Sequence, residues 1–404
     1  MNRLLFMTVG TGIGASKEGI HSLAHGLLES IKQHRSDKIV FFGSKLSKKT
    51  VDSIQEQHQK EGRGDLPQNE FVLIERVDDF DECFHTIKKE IGKYQTHEII
   101  IDYTSGTKTI TMSAAICSVL HGKKLSLISG KRGENGLVVR GTEKIETQNL
   151  YQVYDELIME KVKDFFNNHR FHAAESILKD TVAIKNKGAY LKLIKAYEAW
   201  DRFDHQGCRE LLMDNELEQI PEIKKALSKN KKVIGILTNP KVEQKGRWMV
   251  ADLLNNAKRR GTEQKYDDAV ARLYRTIELI AQSILKEKFD IDTSNVDISK
   301  LSMPTKVSMK KDLDRNKYNN GKIKVGMHLS YSMLRCEGEE IGKKFASDEL
   351  KDLLNKRNNS ILAHGLDPIS RENYKKLLDK TMEIAMGVFP DLEELMKSTR
   401  FPRI

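Results

Sequence analysis

The sequence predicts a chain in two parts, a doubly wound parallel α/β sheet over residues 1–149 and an all-α remainder. Three observations carry that division. Short β-branched runs alternate with amphipathic helical stretches as far as Asn149. Two of those runs end in Gly/Ser/Thr loops that open helices. From Leu150 the strand signal disappears and apolar residues recur at helical spacing.

Taken in order, residues 4–9 form a first strand that runs into Gly10-Thr11-Gly12-Ile13-Gly14-Ala15-Ser16 before a helix starting near Lys17. A second strand follows at 38–42, then a helix at 47–59, a strand at 71–75 and a helix at 80–94. Ile99, Ile100 and Ile101 make a short buried strand closed by Asp102, and Lys108–Leu120 reads as the next helix. A strand at 125–128 completes the alternation, and the glycine-flanked segment 136–141 predicts a short edge hairpin. Such alternation implies an α/β Rossmann-like parallel sheet.

Between the Ile99 strand and its helix lie Thr104, Ser105, Gly106 and Thr107, with Lys108 opening the helix. Free backbone N–H groups, hydroxyls, the helix dipole and a full charge would together hold an anion there. One such loop is also an ordinary capped turn. A second, at Gly10, Thr11 and Gly12, changes the balance, because open parallel sheets gather ligands at the carboxyl ends of their strands. A dinucleotide is disfavoured: the three glycines do not make GxGxxG, and the second strand ends in Gly43-Ser44 with no acidic residue. GxxxxGK[ST] is absent, which removes a Walker-type triphosphate site.

The Gly-Thr-Gly loop paired with Asp102-Tyr-Thr-Ser-Gly-Thr-Lys108 resembles the CRISPR-associated Rossmann-fold (CARF) sensor domains. That resemblance implies a groove across a homodimer axis that binds cyclic oligoadenylate. It assigns ligand contacts to Gly10, Thr11, Gly12, Asp102, Thr104, Ser105, Gly106, Thr107 and Lys108.

Composition sets outer limits. A chain of 404 residues with 39% hydrophobic and 31% charged residues fits two or three helix-rich globular domains. Its formal net charge of +10 suits a polyanionic partner, although solvated lysine-rich helices produce the same excess. Cys83, Cys117, Cys208 and Cys336 stand far apart with no C-x-x-C pair, which points to reduced thiols in the cytoplasm. No apolar run is long enough for a membrane span, and no signal peptide opens the chain. His21 with His25, and His169 with His172, have helical spacing but no further ligand nearby, so no metal is expected.

Residues 150–240 read as a helical connector, and Asn239-Pro240 marks the entry to a last domain at 241–404. Arg170-Phe171 and Arg202-Phe203, 32 residues apart, suggest either stacked helical hairpins or an irregular bundle, with Lys265-Tyr266 as a distant third copy. In the last domain Ala269, Leu273, Ile277, Ile280, Ala281 and Ile284 form one helix face. Residues 290–344 are polar and basic and read as a solvated loop, or else as a mobile insertion touching RNA.

Near the end, Ser347 caps a predicted helix running to His364, with Gly365 as its stop and Leu350, Leu353, Leu354 and Ile361 on its buried face. Arg357 and His364 would then share one face, with the helix dipole raising the imidazole pKa. Arg357-Asn358 followed by Ala363-His364-Gly365 resembles the ribonuclease motif of HEPN (higher eukaryotes and prokaryotes nucleotide-binding) domains. The resemblance implies Arg357 and His364 as catalytic residues with Asn358 as helper, a site completed across a dimer, and metal-independent cutting of single-stranded RNA. The 2′-hydroxyl would attack the adjacent phosphate and leave a 2′,3′-cyclic phosphate.

Together the two resemblances imply a type III CRISPR ancillary ribonuclease, switched on by cyclic oligoadenylate and needing no cofactor. Two alternatives stand beside it: a sensor whose inactive HEPN domain only recruits a partner, and a ring nuclease in which Ser105, Thr107 or Lys108 helps the ligand cut itself.

Overall fold

The computed structural model describes residues 3–12, 16–131, 138–148, 151–181, 183–345, 348–363 and 365–404, with backbone alone at 151–152 and 348–349. The chain separates into two compact units, residues 1–159 with 181–184, and residues 160–180 with 185–404.

In the first unit, strands β1 (Arg3–Val9), β2 (Lys38–Gly43), β3 (Gln68–Leu73), β4 (Glu98–Asp102), β5 (Lys124–Ser129) and β6 (Lys144–Gln148) form one sheet in the order β3-β2-β1-β4-β5-β6. The first five are parallel and β6 returns antiparallel along β5. Helices α1 (Lys17–His34), α2 (Lys48–Lys60), α3 (Phe80–Lys93) and α4 (Lys108–Leu120) make the crossovers. Because side chains alternate along a strand, β1 sends Leu4 and Phe6 into one apolar layer and Leu5, Met7 and Val9 into the other. The strand order reverses between β1 and β4, so the crevice of this sheet opens at their carboxyl ends.

The edge hairpin differs from expectation. Residues 132–137 lie outside the described set, and the strand that pairs with β5 is β6, beyond Gly141. Only Ile145 and Gln148 of β6 are even partly covered, so its polar composition hid the strand.

The rest of the chain is helical: α5 (Tyr151–Asn167), α6 (Phe171–Lys179), α7 (Lys187–Asp201), α8 (His205–Leu212), α9 (Lys224–Thr238), α10 (Lys245–Thr262) and α11 (Tyr266–Phe289). After these come α12 (Met303–Arg315), α13 (Met327–Cys336), α14 (Glu340–Lys344), α15 (Asp348–Asn358), α16 (Arg371–Val388) and α17 (Leu392–Ser398). The turns before α6, α8 and α11 are the same Schellman-type turn. His169, Phe203 and Gln264 take φ of 61, 63 and 61°, and the next N–H in each donates back to Phe165, Ala199 and Arg260 at 2.8, 2.9 and 2.9 Å. His169 therefore corresponds to Phe203, 34 residues on, and matching Phe171 to Phe203 was two residues out of register. The turn is specified by backbone bonds, and no side chain marks its left-handed position.

The predicted α11 face is buried from Ala269 to Ile284. Residues 290–344 are neither a solvated loop nor an insertion. Thr305, Met309 and Leu313 line the inner face of α12, Ser302 caps it, and Pro304 sits in its first turn. Tyr331 stacks on Phe345 at 3.8 Å between centroids and donates its hydroxyl to Ile277 O at 2.8 Å. The lysines that dominated the sequence pattern occupy the outer face only.

Buried charge ties the helices of this unit together. Asp252, fully buried, accepts from Trp200 Nε1 and His205 Nε2, both at 2.9 Å. Asp201 accepts from Arg259 Nε at 2.8 Å and pairs with Arg260, and the Arg259 guanidinium lies 3.8 Å from the Phe401 ring centroid. Beside them His169 has its imidazole pKa pushed down to about 4, first by burial and then by the Arg259 charge.

That depression has a sign. The unfolded imidazole takes its proton near 6.5, while the folded one waits until about 4. Between those values the unfolded chain binds more protons, so stability falls as pH drops through the window. Thermal denaturation of His169→Asn, which keeps a residue tolerant of the left-handed turn, should show a flatter dependence over that range than the parent. Equal slopes would contradict the assignment.

Candidate functional site

The loops after β1 and β4 touch backbone to backbone. A Cβ at Gly10 would lie 3.0 Å from Gly106 N and 3.2 Å from Ser105 Oγ. Gly106 has φ of 128°, and a Cβ there would stand 2.5 Å from Ile110 Cγ2, so glycine is required on both grounds. Hydroxyls pin the junction: Ser105 Oγ accepts the Gly10 N–H at 2.9 Å, Thr8 donates to Ser105 O, and Thr50 Oγ1 donates to Gly10 O at 2.8 Å.

This junction forms one wall of a pocket of ≈ 520 Å³, lined by Gly10, Thr11, Gly12, Thr104, Ser105, Gly106 and Thr107. Two loops far apart in sequence thus converge on one cavity. Opposite them stand Ser44, Leu46 and Ser47 after β2, with Leu23, Val77 and Ile110. Sequence reasoning missed this wall, although Gly43-Ser44 also ends a strand that abuts β1. Leu46 is 60% exposed and gives the pocket an apolar lip.

The hydroxyls of the β4 loop serve the fold. Thr104 Oγ1 accepts from Ile128 N at 2.9 Å. Thr107 Oγ1 donates to Val77 O at 2.7 Å and accepts from Ile110 N at 3.3 Å as the cap of α4. With Ile110 N taken by the cap, what remains for an anion at this helix is the pair of N–H groups of Lys108 and Thr109, which have no acceptor inside the helix.

Two predicted contacts do not line the pocket. Asp102 is fully buried beneath the loop, where its carboxylate accepts from Ser30 and from Thr104 N at 2.9 Å. Burial pushes its pKa up. It shapes the loop from below, as a carboxylate in the pocket itself would repel an anion. His34 lies in the same layer, 2.7 Å from Ser126 Oγ, with its pKa lowered by burial. Lys108 is exposed at the start of α4 and outside the lining, so its charge acts from a distance.

In the second unit Arg357 occupies the last turn of α15. Its guanidinium lies 4.3 Å from the Tyr274 ring centroid, and Nη1 donates to Asn358 Oδ1 at 3.1 Å. Tyr274, on α11, was not foreseen; a half-buried aromatic facing a predicted catalytic arginine has no local signature. Leu350, Leu353 and Leu354 are buried as predicted, but the helix ends at Asn358 and Ile361 is 52% exposed. The run Asn358-Asn359-Ser360 favours local side-chain bonding over helix. A closed loop replaces the last two turns: Ile361 N donates to Asp367 O at 3.1 Å, and Ser360 O accepts from Ala363 N and Gly365 N at 2.9 and 3.2 Å. A Cβ at Gly365 would lie 1.8 Å from Asn359 O. His364 lies outside the described residues, as does Ser347, and the helix-dipole argument for the imidazole falls with the shortened helix. Among the described residues no cluster of His, Cys, Asp or Glu could hold a metal, and His25 instead faces Glu143 at 3.5 Å.

Three family models match the chain in succession: the Csa3 CRISPR-associated Rossmann-like domain at residues 21–134, the Csm6 6H domain at 154–236 and the Csm6 HEPN domain at 239–387. Among solved structures, Enterococcus italicus Csm6 bound to cyclic hexa-2′-fluoro-hexa-dAMP superposes with a TM-score of 0.67 at 14% identity, covering 99% of this chain and 98% of that one. At that identity the match speaks for the fold. No curated protein matches the sequence at a significant level.

The pocket geometry separates two substitutions. For the cyclic oligoadenylate that the sequence resemblance implies, Gly106→Ala should abolish binding in calorimetry, because the loop cannot keep its path. Lys108→Ala should weaken it by only a few fold, with the difference vanishing in high salt. A large, salt-independent loss from Lys108→Ala would place the lysine in the pocket after all.

Proposed function

We propose, from the premise that this chain is a Csm6-type ancillary ribonuclease of type III CRISPR systems with an N-terminal CARF-like domain and a C-terminal HEPN domain, that cyclic oligoadenylate binds the pocket between the β1 and β4 loops and switches on RNA cutting at Arg357 and His364. What carries the reading is the convergence of Gly10–Gly12 with Thr104–Thr107 on one cavity in a chain whose HEPN-matched segment contains Arg357 and His364. Backbone N–H groups suit a phosphate, and the lip at Leu46 and Val77 suits an adenine face.

Arg357 is held over Tyr274 and keeps a guanidinium for the phosphate as it gains charge. His364 moves the proton. The 2′-oxygen forms a bond to phosphorus as it loses its proton, the bond to the 5′-oxygen breaks, and that oxygen takes up a proton. The products are a 2′,3′-cyclic phosphate and a 5′-hydroxyl, with no metal in the step. Asn358 steadies the arginine through their 3.1 Å bond.

The active form is a homodimer. Ile361, Leu362 and Leu366 are 52, 57 and 84% exposed on the loop that carries position 364, an apolar group that a second copy of the chain would cover. Ring-cutting by Thr107 finds less support, since its hydroxyl donates to Val77 O and caps α4.

Arg357→Ala and His364→Ala should each lose about 10² to 10⁴ in cleavage rate while keeping ligand affinity, and EDTA should leave the parent active. Cleaved RNA should carry 2′,3′-cyclic phosphate ends. Ligand-stimulated cutting that survives in both variants, or stops with chelator, would place the chemistry elsewhere.

A further inference from the structure

The basic stretch that the nuclease reading leaves unused forms a defined surface. From Lys306 to Lys324 it holds seven basic residues and only Asp312 and Asp314 as acids. Lys310, Lys311, Arg315, Lys317 and Lys322 are exposed, and no ion pair holds any of them among the described residues. Elsewhere in this unit exposed lysines do find carboxylates, as Lys286 and Lys300 find Asp290. Uncompensated cations set side by side repel each other, so the patch suits a polyanion.

An aromatic ring stands among them. Tyr318 is 56% exposed at the tip of a small hairpin, with Lys324 Nζ 5.3 Å from its ring centroid. Its backbone is fixed: Lys317 bridges Ile323, Tyr318 N donates to Lys322 O at 2.9 Å, and Gly321 closes the turn at φ of 79°. Ile323 and Val325 anchor the hairpin in the core at 4 and 5% exposure, and Val296 N and Val325 N bond it to the preceding segment at 2.9 and 3.0 Å. A ring displayed on a rigid hairpin loses little freedom when a flat partner stacks on it.

We propose that α12 and the Lys317–Lys324 hairpin form a docking surface for single-stranded RNA, with a base stacked on Tyr318 and the strand's phosphates along Lys310, Lys311, Arg315, Lys317 and Lys322. Cations that track a backbone beside a stacking ring are the physical pattern of strand binding without sequence readout. Duplex is a poorer fit, because its bases are already stacked. Val307 and Met303, 74 and 68% exposed on α12, add apolar contact for further bases. The proposal rests on RNA being the substrate, and it adds a holding surface outside Arg357.

The test is fluorescence anisotropy with the full chain and a labelled 2′-fluoro RNA 20-mer, which cannot be cut by its own 2′-oxygen. Tyr318→Ala should weaken binding about 5- to 100-fold, and Tyr318→Phe should restore most of it. The double substitution Lys317→Ala with Lys322→Ala should lower the slope of log Kd against log salt by roughly 1.4, two phosphate contacts on a single strand. A parental melting transition would show each variant folded. Parental affinity and slope in these variants would overturn the proposal, as would a change in oligomeric state, which would make the surface a protein contact. A parent that binds this RNA through Tyr318 yet cuts no unmodified single-stranded RNA when cyclic oligoadenylate is added would instead defeat the nuclease reading and leave the surface standing.

Discussion

The candidate pocket in the first unit depends on one contact, the approach of the Gly10 backbone to the Gly106 backbone at the carboxyl ends of neighbouring strands. Parallel pairing of β1 with β4 brings the two loops side by side, but only the absence of a Cβ at Gly10 lets them close, while Gly106 is required by its own φ of 128° and by Ile110 beside it. Ser105 then locks them by taking the Gly10 N–H. The pocket is a consequence of that lock, and so is the placement of the α4 N-terminus at its base. A methyl group at Gly10 would stand 3.0 Å from Gly106 N and press the two loops apart.

The same economy governs the polar residues around it. Thr104, Ser105 and Thr107 look like ligand donors, yet Thr104 and Ser105 each accept a scaffold N–H and Thr107 donates to Val77 O. Asp102 works from beneath, buried with Ser30 and close to His34. In the nuclease half Arg357 is held by a ring face and an amide, which leaves its charge uncompensated by any carboxylate within bonding distance among the described residues.

Much of this was legible in the sequence for physical reasons. The β1 and β4 strands are buried on both faces and read as apolar runs, and their loops announce themselves by glycine and hydroxyl content. The α11 face was plain because six apolar residues repeat at helical spacing. What failed was local competition. Asn358, Asn359 and Ser360 stop α15 two turns early, where periodicity through Ile361 promised more helix. The lysines of 306–324 drew attention away from Thr305, Met309 and Leu313, which decide that α12 folds. The resemblance assigned Asp102 a ligand contact, and spacing alone does not tell whether a strand's last side chain points up or under; here its carboxylate lies buried and accepts from Thr104 N. Tyr274 and the Ser44–Ser47 wall come from other parts of the chain and reach their sites only through tertiary structure.

The proposal is that a ligand pocket in the first unit commands phosphodiester cleavage in the second. A ligand achieves that only by binding the cutting state more tightly than the idle one. The most direct measurement is the initial rate of single-stranded RNA cleavage by the full chain in EDTA, titrated with cyclic oligoadenylates of each ring size. The account predicts saturable activation by one ring size, with half-activation at the concentration where calorimetry shows the pocket half-filled. Cleavage that is the same at every concentration of every ring would contradict it.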